Sequence, residues 1–115
     1  MARKLGYVDA QRTEHERWAK VNPNGPTAHR DLANFLLANG SGDEDLAEAV
    51  RAARRAAAVT SGDDPWVFLT LADALSRTDD KAEIEGLLTR AEKAAEEDPR
   101  QEPDVSARIR ELRAR

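Results

Sequence analysis

The chain has 115 residues, the size of one domain, and 40% of them are hydrophobic while only 4% are aromatic. Its 18 basic and 22 acidic residues leave a formal net charge of −4, a mixed-sign surface that argues against a dedicated nucleic-acid binder. There is no cysteine for a disulfide or thiolate metal site, no apolar run long enough for a membrane span, and no apolar stretch after Met1-Ala-Arg-Lys-Leu-Gly-Tyr7 to make a signal peptide.

These features lead us to expect a cytoplasmic protein without membrane or nucleic-acid partners. Much of the apolar content is alanine, so the core must be thin, with helices in close approach. Residues 1–8 read as loosely ordered. A leading helix is expected over 9–22, capped by Asp9, with His15, Trp18 and Val21 on its packed face and Trp18 in the core. Asn22-Pro-Asn-Gly-Pro26 ends it, and the flanks lack the alternation of a hairpin.

A second helix is predicted from Pro26 to Asn39, with proline in its first turn and Asn39-Gly40 as a left-handed C-terminal cap. Ala28, Leu32, Ala33, Phe35, Leu36 and Leu37 form its stripe. A third follows from Asp43, whose acidic first turn suits the helix dipole. Its stripe is Leu46, Ala49, Val50, Ala53 and Ala57, and Ser61-Gly62 stops it. The fourth opens on Asp64 and Pro65 and turns Phe68, Leu71, Ala72 and Leu75 inward. The fifth pairs Asp80 with Glu83 as a capping box and carries Ile84, Leu87, Leu88, Ala91, Ala94 and Ala95, ending at Asp98-Pro99. A last helix over 103–113 directs Val105, Ile109 and Leu112 inward and keeps a charged outer face. Nothing reads as a strand.

Pro26, Pro65 and Pro99 stand 39 and 34 residues apart, and Leu32-Ala33 is answered by Leu71-Ala72. A period of this length with two helices per unit is the mark of a helical solenoid. The expected fold is all-α, with stacked antiparallel hairpins over 26–61 and 64–98 between a leading and a capping helix.

The pattern resembles the tetratricopeptide repeat. Phe68, Leu71-Ala72 and Leu75, then Leu87, Ala91 and Ala94, then Pro99, match one unit. His29, Leu32-Ala33 and Leu36, then Ala49, Ala53 and Ala56 or Ala57, match the other less closely. The resemblance covers residues 9–113 and implies a concave groove lined by the first helix of each unit. It places Thr27, Arg30, Asn34 and Leu37 there from one unit, and Trp66, Leu69, Asp73 and Arg77 from the next. Arg30 and Asn34, four apart on one face, resemble half of the clamp that some family members close on a peptide carboxylate. Thr70 stands where a second Asn is expected, and the last helix offers no basic residue at the matching places, so these two residues also fit ordinary solvated surface.

Trp66 fits an exposed anchor or a staple packing the helix entry. Arg108, Arg110, Arg113 and Arg115 read as a solvated helix end diluted by Asp104 and Glu111. His15 and His29 lack ligand spacing, Asp43-Glu-Asp45 lacks the glycine and alternation of a calcium loop, and neither a phosphate loop nor a nucleophile elbow occurs. The expectation is a non-catalytic module that binds a protein or peptide, without cofactor or metal. Two alternatives stay open: a helical bundle, engineered or computed, without a native ligand, and a small-molecule binder or enzyme with a pocket near Trp66.

Overall fold

A computed structural model of the chain describes residues 2–60, 64–78 and 81–115. Among these residues the chain forms six α-helices and no strand: α1 (Ala2–Val21), α2 (Pro26–Asn39), α3 (Gly42–Val59), α4 (Pro65–Ser76), α5 (Ile84–Glu96) and α6 (Glu102–Arg113). Helices adjacent in sequence touch along the whole chain, and α4 also touches α2 and α6. The α2–α3 pair therefore lies directly against the α4–α5 pair. A radius of gyration of 14.4 Å and extents of 43 × 30 × 24 Å describe a body longer than a spherical domain of this size, which would have a radius of about 13 Å.

The first helix is longer than its sequence suggests. It begins at Ala2 and not at Asp9, because no residue before Asp9 stops a helix; the single Gly6 costs only about 1 kcal/mol. Asp9 is consequently mid-helix, and its carbonyl accepts the Thr13 hydroxyl at 3.0 Å. The packed face is also rotated from the expected one. Ala19 is buried and the His15 ring lies 4.9 Å from Phe35, while Trp18 and Val21 remain 42% and 68% exposed. Trp18 is thus not a core residue: one helical position of about 100° separates it from Ala19.

Gly40 is needed for a reason other than the left-handed cap expected of it. Its φ is −75°, and its N–H reaches Leu36 O at 2.8 Å. A Cβ there would stand 2.5 Å from that same carbonyl and 2.9 Å from the Asp45 Cβ, a close approach that only glycine permits. The left-handed conformation falls instead on Gly42, at φ +78°. Ser61, Gly62 and Asp80, expected to end α3 and cap α5, lie outside the described residues. Glu83 precedes α5 without making a cap hydrogen bond; its carboxylate takes two bonds from Arg54 of α3, at 2.9 and 3.0 Å.

The core follows the predicted stripes with shifts of one position. In α3 the buried residues are Ala49, Ala52, Ala53 and Ala56, and Leu46, Val50 and Ala57 are half-buried beside them. In α2, Phe35 and Leu37 are half-buried while His29 is buried. His29 lies within hydrogen-bond distance of Pro23 O, Nε2 to O 2.9 Å, and Arg55 donates to the same carbonyl at 3.2 Å, which ties the α1–α2 loop to the body. In α4 every residue from Val67 to Leu75 is buried, because α4 is covered by four other helices. Among the described residues no buried side-chain polar atom lacks a partner, as a well-packed interior requires.

Surface charge gives the fold a pH signature. Arg54 lowers the Glu83 carboxyl below its ordinary value, and the Ser41 N–H, seconded by Arg12, does the same for Asp45. A carboxyl depressed in the fold adds stability above its unfolded pKa, and that stability is lost as pH falls through the folded value. The loss therefore sets in below about pH 4. Glu16 works in the opposite sense. A hydrogen bond with Glu48, then burial, raises its pKa, so it takes up a proton earlier in the fold and offsets part of the loss. Glu83→Gln should lower the melting temperature slightly near neutral pH, and the difference from the parent should close as pH falls through the lowered Glu83 value and its carboxylate is protonated. Melting curves across that range check it; a difference of constant size would show that Arg54 does not act through charge.

Candidate functional site

Five of the eight residues placed in a groove come together in one cleft. Arg30, Asp31 and Asn34 of α2, Trp66, Leu69, Thr70 and Asp73 of α4, and Arg108 of α6 line a depression of about 400 Å³. Helical spacing brings them there: Arg30 and Asn34 are one turn apart, as are Trp66 and Thr70, and Leu69 and Asp73. Leu69 is 2% exposed and Asp73 7%, so these two form the floor. Leu37 and Arg77 line a smaller cavity of about 180 Å³ with Gly40 and Asp45, and Arg77 Nη1 donates to Leu37 O at 2.9 Å. Thr27 is exposed and lines neither.

The Trp66 indole forms one wall. The Asp64 carboxylate caps α4 by accepting the Trp66 backbone N–H at 2.9 Å. Arg30 of α2 donates to that carboxylate's other oxygen at 3.0 Å. The indole is half-buried against the core cluster and donates from Nε1 to Gln101 Oε1 at 3.1 Å. Trp66 is therefore partly a staple, with a portion of its ring left open toward the cleft.

Three of the four arginines read as a solvated end are paired, while Arg110 is exposed. Arg108 Nη2 reaches Asp73 at 2.9 Å and enters the cleft. Arg115 Nη1 reaches the same carboxylate at 2.5 Å, and Arg113 pairs with Glu85 of α5 at 3.1 Å. Arg77 Nε completes the set around Asp73 at 3.2 Å. The facing of Arg108 was readable in the sequence: Val105, Arg108 and Leu112 follow i, i+3, i+7, one stripe of a helix, whereas Arg115 lies beyond the end of α6. A long guanidinium side chain can lie along an apolar surface while its head finds a carboxylate.

The hydrogen-bond inventory leaves the cleft rich in donors. The Asp73 carboxylate is taken by three arginines and that of Asp64 by Arg30 and the helix cap. The Asn34 side-chain oxygen is taken by Thr70 at 3.2 Å. Arg108 Nη1 is also paired, with Glu111 at 2.8 Å; the Asn34 amino group and the N–H groups that Arg30 and Arg108 have left stay available. Asp31 is the lining carboxylate left with only a long contact, 3.8 Å to Arg30.

Among the described residues no group of His, Asp and Glu is arranged to hold a metal ion, and no helix is long and apolar enough to cross a membrane. No family model, curated protein or solved structure matches the chain.

Proposed function

We propose that the chain is a non-catalytic binding module of tetratricopeptide-like build, which holds an extended peptide segment of another protein in the cleft across α2, α4 and α6. The repeat reading is supported by the contact order. The first helices of successive units, α2, α4 and α6, touch one another in turn, whereas α3 and α5 do not touch. The binding reading is carried by one observation, the convergence of Arg30, Asn34, Trp66 and Arg108 from three helices on one donor-rich depression. A segment bearing a carboxylate beside an apolar side chain satisfies both parts. The carboxylate accepts charge-assisted bonds from the guanidinium groups, and the apolar group covers the indole, the kind of contact that dominates peptide and protein interfaces. A small-molecule pocket of this volume would be walled mainly by apolar side chains, and this one is walled mainly by charged and polar ones.

Selection of displayed random peptides against the chain tests the reading. Acidic–apolar segments should be enriched, and their binding should change Trp66 emission in a Trp18→Phe background. Arg30→Ala and Trp66→Ala should each weaken such a peptide about tenfold or more, a loss of about 1.4 kcal/mol or more. Peptides that bind equally well to both variants would place the site elsewhere, and a selection that returns no binder would refute a peptide-binding role.

A further inference from the structure

Trp18 and Val21 are the exposed large apolar side chains among the described residues, and both stand on α1. The helix packs its backbone on α2 alone and reaches α3 through side chains, Arg12 pairing with Asp45 at 2.9 Å and with Glu48. The packed stripe runs through Val8, Arg12, His15 and Ala19. Opposite it, Ala10, Glu14, Arg17 and Val21 are all exposed. Their spacing of i, i+4, i+7, i+11 lines them in one row along about 16 Å of helix, and Trp18 flanks that row.

The row is self-complementary. We propose that α1 is the contact face of a homodimer, in which two copies of α1 cross antiparallel about a two-fold axis between His15 and Glu16. That axis sets Glu14 of each copy against Arg17 of the other and Ala10 against Val21, and it brings Trp18 over the partner's first turns beyond Thr13. An isologous contact requires such reciprocity, since each residue pair must occur twice. Charge order selects the second copy over another occupant: the antiparallel crossing turns the Glu14–Arg17 neighbours, 3.8 Å apart within one copy, into a four-charge ring of alternating sign. Opposed potentials of this kind set register and orientation, and the tryptophans supply the apolar anchor. One helix face is a small interface, so the dimer is weak and concentration-dependent. The inference is independent of the peptide cleft, which opens between α2, α4 and α6.

Sedimentation equilibrium of the full chain from about 10 μM to about 1 mM, a range that brackets weak dissociation constants, tests it. The weight-average mass should climb toward twice the monomer mass. Trp18→Ala, Glu14→Arg and Arg17→Glu should each hold the chain monomeric, while the double variant Glu14→Arg/Arg17→Glu should restore the dimer, because swapping both signs keeps the cross-pairing. All three positions are exposed, and unchanged circular dichroism confirms that the fold survives. Monomer mass at every concentration overturns the proposal and leaves the face to a different protein. Dimerisation that Glu14→Arg leaves intact, or that the double swap fails to restore, overturns the antiparallel pairing on which it rests.

Discussion

Phe68→Ala is expected to destabilise the fold by about 3–5 kcal/mol, the range for a truncated buried aromatic. Phe68 is 1% exposed and ranks among the largest fully buried side chains. It sits on α4, which touches α2, α3, α5 and α6, so the void would open in the helix that four others cover. Collapse into that void is limited, since much of the surrounding cluster is alanine, with no side-chain torsion to move. The Arg90 guanidinium, 4.2 Å from the ring centroid, would lose its cation–π partner as well. A domain of this size has about 5–15 kcal/mol of stability in total, so the variant should unfold at markedly lower urea concentration. Leu71→Ala, at a site 3% exposed, should cost about 2–5 kcal/mol. Phe35→Ala, half-buried beside His15, should cost less than either. Losses below about 1 kcal/mol at Phe68 and Leu71 would mean that α4 is not the centre of the fold.

Those positions were readable in the sequence because period-3.6 patterning reports burial directly. Leu32, Leu36, Leu71, Leu75, Leu88, Ile109 and Leu112 all fall inside as their spacing predicts. The readings that failed depend on rotation or on distant partners. The size of Trp18, in a chain with few large groups, points it inward, yet the face of α1 is decided by His15 and Ala19 meeting α2. Composition does not reveal the rotation of a terminal helix with one neighbour. Gly40 was assigned a left-handed cap from its local sequence, whereas its requirement comes from Asp45 and the Leu36 carbonyl.

The cleft was legible in part for the same reason. Arg30, Asn34, Trp66, Leu69 and Asp73 share faces of two helices whose spacing is local information. Arg108 and Arg115 reach their partner across 35 and 42 residues of sequence, and only the docking of α6 on α4 creates that contact. From α2 to α6, local pattern determined which face of the helix turned inward; tertiary packing determined the face of α1 and which charges met.

Asp73→Asn should cost about 3 kcal/mol, the lower end of the range for breaking a buried ion pair. The lower end applies because Arg77, Arg108 and Arg115 keep 42%, 27% and 35% of their side-chain surface in contact with water and can be rehydrated once released. The carboxylate itself is nearly dry, and it is the single anion on which three guanidinium groups converge, from Arg77 just after α4, from α6 and from the residues after α6. Asparagine keeps the volume but replaces one acceptor oxygen with an amino group aimed at cations, and the three arginines then repel one another. For a chain of this length the loss corresponds to a fall of roughly 10 °C in melting temperature. A cycle of Asp73→Asn with Arg108→Met separates the explanations. If the carboxylate acts by pairing, the double variant should lose less than the sum of the singles, since neither partner is then left alone. Additive losses would assign the effect to packing at the floor of the cleft. A cost under about 1 kcal/mol, the level of an exposed pair, would show that α6 is held by Val105, Ile109 and Leu112 alone.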